Sequence, residues 1–187
     1  MSRNIIAVVG EMCADNTDLT FLNADDHIIV GGTKGMERLN GKPQYICVNN
    51  NEDIAKIMPA KQQESLVLTP KNCLAKYIFH EGIECLPDFV ELEKYQWNPY
   101  TVSPQLTSLA LSLWIGSPVV ALFNYLLEPD KETPALEAML KLYPNTKFLY
   151  VREKNKNRIK FLDRYKNIEQ TDMESFKNFY EKYKASN

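Results

Sequence analysis

The chain has 187 residues, 44% hydrophobic and 25% charged, with a net charge of −2; this composition excludes intrinsic disorder, and the length suits one domain, residues 1–187, better than two. No apolar run reaches membrane-spanning length, and MSRNIIAVVG enters a strand pattern instead of a secretory leader, so a cytoplasmic location with no membrane partner is expected. Cys13, Cys47, Cys73 and Cys85 lack CxxC spacing and His27 and His80 are the only histidines; this excludes a Cys- or His-rich metal centre and reads the cysteines as reduced, mostly buried thiols.

In chain order, Ile5–Gly10 is apolar throughout, as in a central parallel strand covered on both faces. Asn16 or Thr17 is expected to cap a short helix through Phe21. His27–Val30 is a second strand ending in Gly31-Gly32-Thr33, and Gln44–Asn49 a third ending in three asparagines. Helical segments are expected at Glu52–Ala60 and Asn72–Phe79, flanking a strand at Ser65–Thr69. From about 81 to 105 the pattern weakens into an irregular, aromatic-rich loop with Phe89, Tyr95, Trp97 and Tyr100, long enough to act as a lid or binding loop. Leu106, Leu109, Ala110, Leu113 and Trp114 then fall at helical spacing, Gly116-Ser117-Pro118 stops the helix, and VVALF is a buried strand ending at Asn124-Tyr125. A helix from Thr133-Pro134 through Leu142, a strand at Lys147–Val151, a short return marked by Phe161 and Tyr165, and an amphipathic helix at Met173–Tyr183 complete the chain. The alternation makes the fold class α/β, a single Rossmann-like domain with a mainly parallel sheet flanked by helices. In such sheets ligands sit beyond the carboxyl ends of the strands.

Charge is unevenly placed. Residues 147–166 carry +6 and the remainder −8, so a basic segment containing Arg152, Lys154, Lys156, Arg158 and Lys160 can guide a polyanion to one face. The same segment also suits a solvated, lysine-rich edge.

Neither GxGxxG nor GxxxxGK[ST] occurs. Gly31-Gly32-Thr33-Lys34-Gly35 is placed to face a phosphate or simply to turn the chain after a strand. Thr107-Ser108 offers helix-start amides and two hydroxyls to an anion, or ordinary capping.

The stretches IIAVVGEMCADNTDLTFL, HIIVGGTKG, KPQYICVNN, TSLALSLWIGSPVVALFNY and ALEAMLKLYPNTKFLYV follow one another in an order that resembles the small Rossmann-type glycosyltransferases related to bacterial sialyltransferases. The resemblance implies a nucleotide-sugar co-substrate, CMP-sugar favoured, bound over the strand ends. No cofactor or metal ligand set is assigned, and a carboxylate-held Mg²⁺ has no signature in the sequence. Gly10, Glu11 and Asn16 would line the first loop, Gly32 and Thr33 the second, and Thr107 and Ser108 the phosphate-facing turn. Asn49, Asn124 and Tyr125 would contact base, ribose or sugar.

The family's GPS loop is replaced by Gly10-Glu11-Met12-Cys13, its strand-ending aspartate by Asn124, and its histidine base has no counterpart after His80. A carboxylate is the expected substitute: Asp15, Glu11 or Asp130, with His80 as an outside candidate. The basic segment extends the expectation to an acceptor hydroxyl on hydroxymethylated cytosine in double-stranded DNA, as in bacteriophage DNA glycosyltransferases, with Trp97 available to stack on a base. Two other readings stay open: a catalytically inactive protein that sequesters a nucleotide or signalling ligand, and a protein-interaction module on the same scaffold. The oligomeric state has no sequence signature.

Overall fold

The structure, a computed structural model, describes residues 4–11, 16–57, 65–69, 81–85, 103–129, 132–153 and 156–186. Its strands are β1 (Ile5–Val9), β2 (Thr17–Asp18), β3 (His27–Gly31), β4 (Leu39–Asn40), β5 (Tyr45–Cys47), β6 (Leu66–Thr69), β7 (Ile83–Cys85), β8 (Val119–Phe123), β9 (Lys147–Val151) and β10 (Ile168–Thr171). The helices among the described residues are α1 (Gly32–Glu37), α2 (Asn51–Ile57), α3 (Pro104–Ile115), α4 (Glu132–Leu142) and α5 (Met173–Ala185).

Eight strands form one sheet in the order β10-β9-β8-β1-β3-β5-β6-β7, and every described pairing in it is parallel. The fold is therefore α/β and Rossmann-like. From β1 the chain steps outward through β3, β5, β6 and β7, then returns to the other side of β1 and steps outward again through β8, β9 and β10. The order reverses at β1, so the crevice where loops diverge lies over the carboxyl ends of β1, β3 and β8.

β1 and β8 are buried at all positions because helices cover both faces. The alternation of side chains divides the core. Ile6, Val8, Val120 and Leu122 pack under α3 and α4, while Ile5, Ala7, Val9, Ala121 and Phe123 pack under Phe176 and Tyr180 of α5. A smaller cluster joins Ile46, Val48 and Val67 to Ile54 and Ile57 of α2.

The expected helix, turn and strand from Leu106 to Tyr125 is present. Its helix begins earlier: Ser103 Oγ accepts from the Leu106 amide and Pro104 takes the first turn. Gly116 closes it at φ 86°, in the left-handed conformation that glycine adopts without strain.

Several expectations are corrected. The short helix expected from Asn16 or Thr17 through Phe21 is instead strand β2, paired with β4. The Asp18 carboxylate accepts from both the amide and hydroxyl of Thr20, a local turn that competes with helix. The GGTKG stretch is not a loop, because α1 starts at Gly32 directly after β3. The span assigned to an irregular loop contains β7, and its last residues belong to Ser103 and α3; residues 86–102, with Phe89, Tyr95, Trp97 and Tyr100, lie outside the described residues, as does the helix expected at 72–79. Edge strand β10 follows the short return, which is a 3₁₀ turn at Leu162–Arg164. Cys47 is a buried free thiol and Cys85 is partly buried; Cys13 and Cys73 lie outside the described residues. No described helix is long and apolar enough to cross a membrane.

Candidate functional site

Three chain segments meet at Gly10, one residue past β1. A Cβ there would lie 2.6 Å from Gln105 Oε1, 2.7 Å from the Asn124 carbonyl oxygen and 2.9 Å from Tyr125 Cα. Glycine is needed because the α3 start and the β8 end close directly onto the strand. Gly31 is likewise pressed against the Pro104–Gln105 backbone, and Gly32, at φ 76°, faces the Glu11 carboxylate.

Gln105 is the polar hub of this junction and only 2% exposed. Its Oε1 accepts from the Leu126 amide at 3.1 Å and, more weakly, from the Glu11 amide at 3.4 Å; its Nε2 donates to the Leu126 carbonyl at 2.8 Å. One side chain thus satisfies backbone groups left unpaired where β1 and β8 end.

Glu11 emerges half-buried from this hub. Burial raises its carboxyl above the ordinary 4.5; Lys34 partly offsets this, and the charges of Asp53 and Glu132 add to the rise. Asp53, in the first turn of α2, accepts from Asn50 Nδ2 at 2.6 Å and from Thr33 Oγ1 at 3.4 Å. Glu132, at the first position of α4, is 3% exposed, and its Oε2 has no hydrogen-bond partner. The crevice rim is therefore acidic, with a half-buried carboxyl that holds its proton more tightly than an ordinary glutamate does.

On the β8 side, Asn124 adopts φ 49°, a left-handed conformation that asparagine tolerates better than most residues, and its Nδ2 donates to Thr17 Oγ1 at 2.7 Å. Tyr125 is buried. Its carbonyl accepts from Tyr150 Oη at 2.6 Å, and its own hydroxyl has no partner. Burial, then Glu132, then Tyr150 push the Tyr125 phenol well above its usual range.

Of the residues singled out in the sequence, Gly10, Glu11, Gly32, Thr33, Asn124 and Tyr125 converge on the crevice. Asn49 is half-buried beyond β5, and exposed Asn16 adjoins Thr17. Thr107 and Ser108 are elsewhere than expected: they sit within α3, 2% and 0% exposed, and their hydroxyls donate to the Ser103 and Pro104 carbonyls. Ser103 holds the Leu106 and Thr107 amides, so these hydroxyls serve the helix itself. Asp15, His80, Trp97, Asp130 and Lys154 lie outside the described residues.

The cations of the basic segment from Arg152 onward follow the carboxyl end of β9, at the same end of the sheet as the crevice. Arg152 donates to the Lys156 carbonyl, Lys156 pairs with Glu153 at 2.7 Å, Arg158 pairs with Asp163 at 2.8 Å, and Lys160 is exposed. Acidic neighbours thus balance two of these cations.

Gln105, Asp53 and Glu132 were missed in the sequence because each resembles an ordinary polar residue at a helix start. Only their burial and convergence distinguish them. No family model matches the chain, and no curated protein sequence matches it significantly. Among solved structures it is similar to the sialyltransferase CstII from Campylobacter jejuni in complex with cytidine-5′-monophosphate, with TM-score 0.51 and 14% identity over 80% of this chain and 79% of that one. The same enzyme in complex with CMP-3FNeuAc is similar to the same extent. The likeness is one of fold.

Proposed function

We propose that this chain is a glycosyltransferase that binds a nucleotide sugar, CMP-sugar favoured, across the crevice beyond β1, β3 and β8 and transfers the sugar to a hydroxyl. The observation that carries the reading is the half-buried Glu11 carboxyl at the switch point, where Gln105 Oε1 faces the Glu11 backbone amide, in a fold shared with an enzyme whose structures are in complex with CMP and CMP-3FNeuAc. In this reading Glu11 accepts the proton of the acceptor hydroxyl. The acceptor oxygen bonds to the anomeric carbon as its bond to the phosphate oxygen breaks, and CMP departs. Gly10, Gly32 and Thr33 shape the donor side, and Asn49, Asn124 and Tyr125 line the base, ribose or sugar side; Asp15, Asp130 and His80 remain alternative bases.

The acceptor proposed is hydroxymethylated cytosine in double-stranded DNA. What supports it is the basic segment after β9, at the crevice end of the sheet. Its exposed ion pairs are individually weak, about 1 kcal/mol or less, and phosphates can displace them. A fluorescence titration at two salt concentrations tests this: salt-sensitive binding is expected, and negligible affinity at low salt removes the DNA acceptor.

A second reading, a non-catalytic nucleotide binder, is favoured by Asn124, whose amide is committed to Thr17 where the resembled enzymes carry a carboxylate. Incubation with CMP- and UDP-sugars, with and without hydroxymethylated DNA, separates the two. Acceptor-dependent release of CMP is expected of the enzyme, nucleotide binding without turnover of the binder, and absence of nucleotide binding overturns both.

A further inference from the structure

Tyr125 and Glu132 present two unpartnered polar atoms in one buried region. The Tyr125 hydroxyl and Glu132 Oε2 each lack a hydrogen-bond partner although the residues are 1% and 3% exposed. Each such orphan costs a fold about 1–3 kcal/mol, so two together need an explanation. The groups lie within electrostatic range of one another without a mutual hydrogen bond, and Glu132 also acts on Glu11 at the crevice.

Neighbouring contacts hold both groups in place. Tyr125 packs in the cluster that contains Ala135, Leu136 and Met139 of α4, and Tyr150 Oη fixes its carbonyl. The Thr133 amide donates to the Glu128 carbonyl at 3.0 Å, which anchors the chain beside Glu132. Tyr125 supplies a donor and Glu132 an acceptor. The ligand group that satisfies both at once is a hydroxyl, which accepts from the phenol and donates to the carboxylate. A phosphate or carboxylate fits poorly, because it would meet Glu132 and Glu11 as like charges.

We propose that Tyr125 and Glu132 form a subsite for a hydroxyl of a neutral, polyhydroxylated ligand, placed behind Glu11 on the α4 side of the crevice. The choice of a sugar hydroxyl rests on the glycosyltransferase reading; the two unpartnered atoms do not. Neither residue carries out a bond-making step in this assignment. They position the ligand against the carboxyl of Glu11.

The test uses the full chain and the near-isosteric variants Tyr125→Phe and Glu132→Gln. Binding of methyl β-glucoside, methyl β-galactoside and methyl N-acetyl-β-glucosaminide is followed by saturation-transfer NMR, CMP affinity by calorimetry, and thermal unfolding by circular dichroism. At least one glycoside is expected to bind the wild type and to weaken about tenfold or more in both variants. Tyr125→Phe should melt at or above the wild-type temperature, because it removes an unsatisfied buried hydroxyl. The subsite is overturned if no glycoside binds the wild type, if both variants bind it equally well, or if Tyr125→Phe melts several degrees lower. Failure of CMP to bind the wild type counts against the donor reading alone, since the glycoside arm is read without nucleotide.

Discussion

Gln105 and Leu126 hold one another by a reciprocal pair of hydrogen bonds. Gln105 Oε1 accepts from the Leu126 amide at 3.1 Å while Nε2 donates to the Leu126 carbonyl at 2.8 Å. The same Oε1 faces the Glu11 amide, so one side chain couples the α3 start to the ends of β1 and β8. Replacing Gln105 with leucine leaves buried backbone groups unpaired. Denaturant unfolding is expected to show a loss of about 2–4 kcal/mol, and nucleotide release in the sugar-nucleotide assay should fall with it. The Gln105→Glu variant keeps the acceptor but loses the donor, so it should retain part of the stability.

Glu11 makes the pH behaviour of the site predictable in sign. Its folded carboxyl is raised above 4.5, chiefly by burial. The folded state therefore binds this proton more tightly than the unfolded chain does. The stability contributed by the neutral form is complete below about 4.5 and is lost as pH rises through the folded value. Relative to the wild type, Glu11→Gln should be least advantaged in acid and most stable at neutral pH, as followed by unfolding midpoints across that window. Transfer activity should follow the opposite limb, rising with pH as Glu11 ionises, and Glu11→Gln should abolish that limb.

Gly10 is required by close approach. An added methyl meets Gln105 Oε1, the Asn124 carbonyl and Tyr125 Cα, all within 2.9 Å. Two of these three contacts are with backbone, which cannot swing aside. Gly10→Ala is expected to cost about 1–3 kcal/mol by overpacking, measured by urea unfolding, and to weaken nucleotide binding by moving the Glu11 loop.

At the opposite end of the sheet, Asp26 ties the C-terminal helix to β1. Its Oδ1 accepts from the Ile5 amide at 2.8 Å and pairs with Lys184 Nζ at 2.7 Å, and its Oδ2 accepts from Tyr180 Oη at 2.7 Å. Asp26→Ala strands these donors around a fully buried site. The expected loss is about 3–5 kcal/mol, with faster proteolysis near α5 and nucleotide affinity preserved in the fraction that remains folded.

The parts of the fold legible in the sequence are those where local pattern and tertiary environment agree. The Ile5–Gly10 and Val119–Phe123 runs read as central strands because burial on both faces needs continuous apolar sequence. Gly116 marks a helix end because few other residues adopt its backbone angles cheaply. Thr17–Asp18 misled because a two-residue strand carries no period, and its partner lies at Leu39–Asn40. Ile168–Thr171 escaped notice because an edge strand shows only one buried apolar residue.

The candidate site divides in the same way. Gly10, Glu11, Asn124 and Tyr125 follow apolar strands, and the rule that ligands gather at strand ends selects them from sequence alone. Thr107 and Ser108 looked like anion ligands until their carbonyl partners one turn back were visible. Gln105 and Glu132 became significant only through burial.

By itself, then, the sequence determined the class of fold, the central strands and which strand ends to inspect, because periodicity and glycine preference act over a few residues. Only the tertiary structure decided that Gln105 joins β1 to β8 and that Tyr125 and Glu132 share a buried, unsatisfied region. The energy of a polar atom depends on what surrounds it, and for Gln105 that surrounding comes from segments up to 94 residues apart.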